Sequence, residues 1–518
     1  MQCIVFTDTE RLAEKYQTSR QDVLGLLQRN LFGQDINDFM MLDAVDYQEE
    51  LGQDSSWHGY KSVLADFMKG MGIASSPQTS LFIIGGDDVI PMPSLASPID
   101  ESDELKADFL YCFAEDEPVS LDANEAQCNV GRLPLENGRL STSLQDDLQS
   151  YFNLAMMMLQ TGIEVNNVVM TSTQSWLPAS NEMVRGLPIE EPHHIADATK
   201  ENMYTSPRLS VDEDRVVRQY KSDIGKADML MFNLHGSDSP HYSSFYGEGA
   251  NGHNTPKAFT IEYLRDSGAR IFHTVACFGG RYIDYERNQS MLLSSLFGGG
   301  VVLYAGSCTS ALGRSDQRHV AANDILIPAG FSESFMKLYT LYLFRGITAG
   351  EAFLRAKCDY FNTCRNLDTF EGAMATILMF NLYGLPVLNV IKHGEVIQEA
   401  RGMKSALPID WHKIVEYKAV YDKNQRASAS ILEQVRSLVD KNLQKIRMTV
   451  ESRLYQYWGL PPRDLCRIDA INEQGVSKGY RFVYQNDDET IKKRIWAYTD
   501  TFGKVKDVVH LKQIMNES

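Results

Sequence analysis

Apolar runs of strand length recur along the first three quarters of the chain, each closed by small or polar residues. Cys3–Phe6, Leu81–Ile84 and Asn167–Thr171 read this way, as do MLMFN at 229–233, ARIFHTVA at 269–276 and VVLYAG at 301–306. Continuous apolar runs followed by Gly or polar residues are the signature of buried parallel strands and their C-terminal loops. Between them, 19–28, 60–71, 331–343 and 349–360 carry helical apolar spacing, and 290–297 predicts a short helix. Residues 141–161 predict a buried helix whose Leu and Met cluster reads as core filler. Strands alternating with helices predict an α/β fold.

The rhythm changes after residue 391. Residues 392–408 form a polar connector, and 411–458 a long, charged helical region ended by Pro461-Pro462. Three segments, 465–472, 479–485 and 495–510, then alternate like antiparallel strands, with turns at 473–475 and 501–504. The chain therefore divides into an N-terminal α/β unit (1–150), a second α/β unit (151–391) and a C-terminal α+β module (392–518) in which no chemistry is visible.

Composition narrows the function classes. The 518 residues are 43% hydrophobic and 23% charged, as in ordinary globular proteins. A formal charge of −18 argues against nucleic acid and against an anionic membrane as partners. No run approaches the roughly 18 apolar residues of a membrane span. The opening MQCIVFTDTE lacks the basic region and apolar length of a secretory signal, so a cytoplasmic location is expected. Eight cysteines without a CxxC pair fit reduced thiols rather than disulfides or a zinc site. No cofactor is expected, because Gly85-Gly86-Asp87-Asp88 matches no phosphate-binding pattern and its aspartates would repel a phosphate.

The candidate chemistry lies at two strand ends. In open α/β sheets the ligand crevice forms outside the carboxyl ends of the strands. One run ends in His235-Gly236 and another in Cys277-Phe278-Gly279-Gly280. On neighbouring strands, His235 and Cys277 would stand side by side. A thiolate could then attack, an imidazole move the proton, and the backbone N–H groups of Gly236 and Cys277 cradle the oxyanion. The glycines would leave the backbone uncrowded for an approaching peptide. Taken singly, such a His is more often structural and such a Cys a small buried hydrophobe. It is the ordered pair that points to catalysis. His273 lies too far down its strand to reach the thiol, and His241 and His253 fall in a Gly- and Ser-rich stretch that reads as an irregular loop.

His-Gly after one strand and Ala-Cys-x-Gly-Gly after the next resemble the caspase-like cysteine peptidases, and among them the gingipain family. The likeness continues in order through residues 80–391. Ser80–Pro91 is similar to a strand-Gly-Asp…Ile-Pro segment, Ala107–Tyr111 to Ser-Asp-x-x-Tyr, Val130–Pro134 to an Ile-Gly-Arg turn, and Leu382–Leu388 to Phe-Gly-Asp-Pro-Ser-Leu. The resemblance implies a caspase/gingipain-like three-layer sandwich, with a pseudo-half that buttresses a catalytic half. Asp87, Asp88 and Asp108 are read as loop anchors, with a metal site as the alternative. The resemblance also implies that Gln174, where the family has a glutamate, orients His235. Asn181, with Glu182 adjacent, stands where an acid would meet a basic P1 side chain, and Asp316 is a second candidate. Asn181 could equally cap a helix starting near Glu182, and Asp316 could be a solvated loop charge.

The function so implied is a cysteine endopeptidase acting on a protein or peptide substrate, with cleavage after Arg or Lys as the specificity that the resemblance implies. Arg281, Arg287, Arg314 and Arg318 are basic positions for self-cleavage, and the C-terminal module is a surface for an activating partner. Two rivals share these residues: a catalytically silent scaffold, and a thiol transferase or ligase using the same dyad. A phosphatase lacks support, since no Cys-x5-Arg spacing follows Cys277.

Overall fold

The computed structural model describes residues 2–391 except 33–38, 100–103, 115–120, 136–142, 174–175, 188–193, 198–219, 238–242, 248–256, 314–318, 323–324, 329 and 365–369, and beyond these residue 450 and four strands between 465 and 514. A ten-stranded sheet organises the first 391 residues. Its strands in chain order are β1 (Cys3–Thr7), β2 (Phe39–Asp43), β3 (Ser80–Ile84), β4 (Asn129–Leu133) and β5 (Val168–Ser172). They continue with β6 (His194–Asp197), β7 (Met229–Asn233), β8 (Ile271–Thr274), β9 (Leu303–Ser307) and β10 (Phe380–Gly384). The spatial order is β2-β1-β3-β4-β10-β9-β8-β7-β5-β6. Strands β2, β1, β3 and β4 pair in parallel, as do β9, β8, β7, β5 and β6. Between the two sets, β10 runs antiparallel to β9 and meets β4 at Tyr383 and Arg132.

Every residue of β1, β3, β7 and β8 is buried, which explains their unbroken apolar runs: both faces of the sheet are covered. The cover comes from helices in two packed groups. One contains α1 (Thr9–Lys15), α2 (Arg20–Leu27), α4 (Leu144–Thr161) and α6 (Met291–Phe297). The other contains α5 (Leu177–Val184), α7 (Phe331–Phe344), α8 (Ala349–Cys364) and α9 (Phe370–Met379), while α3 (Trp57–Gly70) leads into β3. Several helices begin where the sequence offers a capping oxygen. The side chains of Asp8, Ser19, Ser56, Ser143 and Ser290 each accept a backbone N–H of the first turn. The α/β class and the layered, two-set sheet are those expected from the sequence.

Some expectations change. Val130–Leu133, read as a turn, is strand β4, and β2 and β6 were not anticipated. The helix over 144–161 is not uniformly buried: Met156 is core, while Met157 faces outward at 47% exposure. The C-terminal strands number four, Leu465–Glu473, Val476–Asp487, Ile491–Asp500 and Val505–Ile514, in an antiparallel meander. The run over 495–510 is thus two strands. The connector at 392–408 and nearly all of the helical region expected at 411–458 lie outside the described residues. No described helix is long and apolar enough to cross a membrane.

The acidic residues near β3 and β4 serve as anchors. Arg132 makes a bidentate pair with Asp108, at 2.7 Å for each bond, and donates to the carbonyls of Gly85, Gly86 and Ile90. Asp87 accepts from the Met92 backbone and pairs with Lys106, and Asp88 pairs with Lys15. Each of the three carboxylates therefore has a cationic partner. Tyr282, five residues beyond Cys277, donates to Met92 Sδ, so the loops after β3 and β8 meet.

Candidate active site

The pairing of β7 with β8 sets the site. Met229 faces Ile271 and Phe232 faces Thr274, and the Val275 N–H donates to the Phe232 carbonyl at 2.9 Å. Beyond these paired residues, the backbone of Gly236, next to His235, closes on that of Cys277. A Cβ on Gly236 would lie 1.7 Å from the Cys277 carbonyl oxygen, so only glycine fits beside this strand end.

His235 is held from its other side by a hairpin. Ser244–Tyr246 pairs antiparallel with Lys257–Thr260, and Tyr246 forms a two-bond bridge with His235, both N–H···O distances being 2.9 Å. This corrects the expectation of an irregular loop: part of the Gly- and Ser-rich stretch is strand that clamps the His235 backbone. His241 and His253 lie outside the described residues. His273 is buried, its Nδ1 is 3.1 Å from Thr340 Oγ1, and its ring packs on Tyr339. Burial pushes its pKa down to about 3, so it is a neutral core residue at ordinary pH.

Cys277 begins a tight turn at the end of the β8 run. The next residue, Phe278, has φ +56°, a left-handed conformation that costs a non-glycine residue roughly 1–2 kcal/mol. Hydrogen bonds hold it there: Phe278 N–H donates to Thr309 O (2.8 Å), Gly280 N–H to Ser307 O (2.7 Å), and the hydroxyls of Tyr304 and Tyr383 to the Gly279 and Gly280 carbonyls. Gly279 and Gly280 are glycines for another reason than substrate access. A Cβ on Gly279 would meet Thr274 at 2.6 Å, and one on Gly280 would meet the Gly306 backbone at 2.7 Å.

The strip after β9 completes the surroundings of the thiol. Ala311 N–H lies 3.3 Å from Cys277 Sγ, and the Ala311 carbonyl lies 3.7 Å from it. Both contacts tie the sulfur to the peptide backbone at Ala311. This contact had no sequence signal, because it uses only backbone. Cys308, a second thiol in the same strip, exchanges contacts of 3.4 Å with the Lys106 backbone, and burial pushes its pKa up to about 11. It is therefore a protonated thiol at neutral pH.

A further neighbour of His235 went unrecognised in the sequence. The Trp176 ring packs on the imidazole, with centroids 4.6 Å apart and planes inclined at 58°. Trp176 immediately precedes α5, which starts at Leu177 rather than near Glu182. Asn181 therefore sits within the helix, exposed, and does not cap it. Glu182 is buried and pairs with the exposed Arg185 at 2.8 Å. Gln174 and Asp316 lie outside the described residues, as do Arg314 and Arg318. Arg281 is exposed, with its guanidinium over the Phe278 ring. Arg287 is not a loose loop residue. It lies in a capped helical turn, bonds the buried Asp147 and packs on Phe297.

No family model matches the chain, and no curated protein matches it. Solved structures similar to it include the following two. The Arg-specific cysteine proteinase gingipain R aligns at 11% identity and a TM-score of 0.46, covering 99% of this chain and 97% of that one. A second, described only as a protease, aligns at 11% identity and a TM-score of 0.47, with the same coverages.

Proposed function

We propose that the chain is a cysteine endopeptidase in which Cys277 is the nucleophile and His235 the proton carrier. The observation that supports this reading is the close approach of the Gly236 backbone, next to His235, to Cys277 at the ends of the paired strands β7 and β8. In the proposed reaction, Cys277 Sγ bonds to the peptide carbonyl carbon as its proton passes to His235. The N–H groups of Gly236 and Cys277 receive the oxyanion. His235 returns the proton to the leaving amine, the C–N bond breaks, and water then hydrolyses the thioester.

Regulation belongs to the same proposal. His235 is 2% exposed and Cys277 7%, so a peptide reaches the sulfur only after the Ala311 strip moves. This supports activation by self-cleavage, with Arg281 as the exposed one of the two described candidate positions, or by a protein partner docking on residues 392–518. A basic P1 preference rests on Glu182, whose present partner Arg185 has a side chain 68% exposed and open to displacement by a substrate cation. Gln174, Asn181 and Asp316 keep the roles that the resemblance implies, as part of the proposal.

Turnover of a positional library of fluorogenic peptides by wild type and Cys277→Ala, before and after self-incubation, tests the reading. Cleavage lost in the variant supports it. Equal cleavage by both proteins overturns it.

A further inference from the structure

The bridge to Tyr246 accounts for where the His235 backbone stands but not for how its ring is aimed. A histidine χ2 torsion is broad and roughly two-fold, so a fixed backbone still lets the imidazole turn. We infer that Trp176 is the positioning residue of His235: its indole forms the wall that orients the imidazole and favours its protonated form. This inference rests on the reading of His235 and Cys277 as a catalytic pair.

The helix that Trp176 precedes is tied by hydrogen bonds to the strand that leads to the histidine. Asn233, two residues before His235, donates from Nδ2 to Ser180 Oγ of α5 at 3.0 Å. The same Ser180 hydroxyl is 2.7 Å from Ser172 Oγ at the end of β5. Ser172, Ser180 and Asn233 are all buried, so water does not compete for these bonds. At the start of the helix, Trp176 N–H donates to Thr173 O at 3.3 Å. Trp176 is thereby referenced to both β5 and β7. Its ring centroid, 4.6 Å from that of His235, is within the range in which an aromatic face attracts a cation. When His235 holds the thiol proton, the indole stabilises the imidazolium. When the proton leaves with the amine, that attraction is released. Of the charged groups on and against α5, Glu182 pairs with Arg185 and faces Lys337 of α7, and Cys277 is the titratable group beside Gly236.

The test is the rate of Cys277 alkylation by iodoacetamide, read at that residue by mass spectrometry in the full-length protein from pH 5 to 9. The variants are Trp176→Leu, Trp176→Phe and His235→Ala, with thermal unfolding and peptide turnover measured beside them. Trp176→Leu should slow alkylation at the acid end by about 3- to 30-fold and move the profile toward that of His235→Ala. Trp176→Phe, which keeps an aromatic face, should restore most of the rate. A Trp176→Leu profile that superimposes on wild type while His235→Ala differs overturns this inference alone. Equal losses in Trp176→Leu and Trp176→Phe also overturn it, by reducing the indole to packing. Should His235→Ala alkylate like wild type, the catalytic pair falls, and the inference with it.

Discussion

The main chains of His235 and Tyr246 exchange both of their hydrogen bonds, each at 2.9 Å, so the histidine is the joint between the central sheet and a hairpin. The bond donated by Tyr246 can be removed without touching His235. Tyr246→Pro lacks that N–H and leaves the His235 carbonyl short of a partner, at a cost of about 1–3 kcal/mol. Turnover is expected to fall at least ~10-fold if a displacement of about 1 Å at His235 follows. Tyr246→Phe keeps both bonds and should retain most of the activity. Peptide turnover and thermal unfolding of the two variants decide the matter.

Gly236 offers a sharper probe of the same neighbourhood. Its absent Cβ would overlap the Cys277 carbonyl oxygen, a backbone atom that no side-chain rotation can clear. Gly236→Ala is therefore expected to part the two strand ends. Activity and Cys277 alkylation should both collapse, while the far-ultraviolet circular dichroism stays that of a folded α/β protein. Wild-type alkylation in this variant would contradict the close approach.

The Arg132–Asp108 pair is a stability prediction independent of chemistry. Both side chains are nearly fully buried, at 0% and 3% exposure, and Arg132 also satisfies three backbone carbonyls. Removing one partner strands the other in a medium that solvates it poorly. Asp108→Ala is expected to cost about 3–5 kcal/mol in chemical denaturation. Lys15→Ala, which breaks only the partly exposed pair with Asp88, should cost about 1 kcal/mol or less.

His273 gives stability a pH dependence with a definite sign. Burial lowers its pKa from 6.5 to about 3 in the folded chain. Between those values the unfolded chain binds the proton and the folded chain does not, so stability falls as pH drops below 6.5. The slope from this one group approaches ~1.4 kcal/mol per pH unit. Replacing it by a side chain that cannot titrate, His273→Phe, removes that slope. The stability difference between wild type and variant should therefore change between pH 7 and pH 5, in favour of the variant at the lower pH.

The central sheet was readable because its strands are buried on both faces and so consist of unbroken apolar residues, as in Met229–Phe232 and Leu81–Ile84. His235 and Cys277 were readable because polar chemistry stands out at the end of such runs. What surrounds them was not. Ser244–Tyr246 is a three-residue strand among glycines and serines, too short for any period to show. Ala311 acts through its peptide group, which every residue possesses. Trp176 reads as one more core aromatic until the fold brings it to an imidazole 59 positions away. Met157 was assigned to the core with its neighbours because a run of three methionines hides which of them faces outward.

Strand β10 lies in the middle of the sheet yet comes last of its ten strands along the chain. During synthesis, β4 and β9 must therefore wait with open edges until residue 384 has left the ribosome. Open edges of apolar strands are templates for intermolecular pairing. The nascent protein is thus most exposed to such pairing after Ser307 has been made but before β10 joins the two sets of strands.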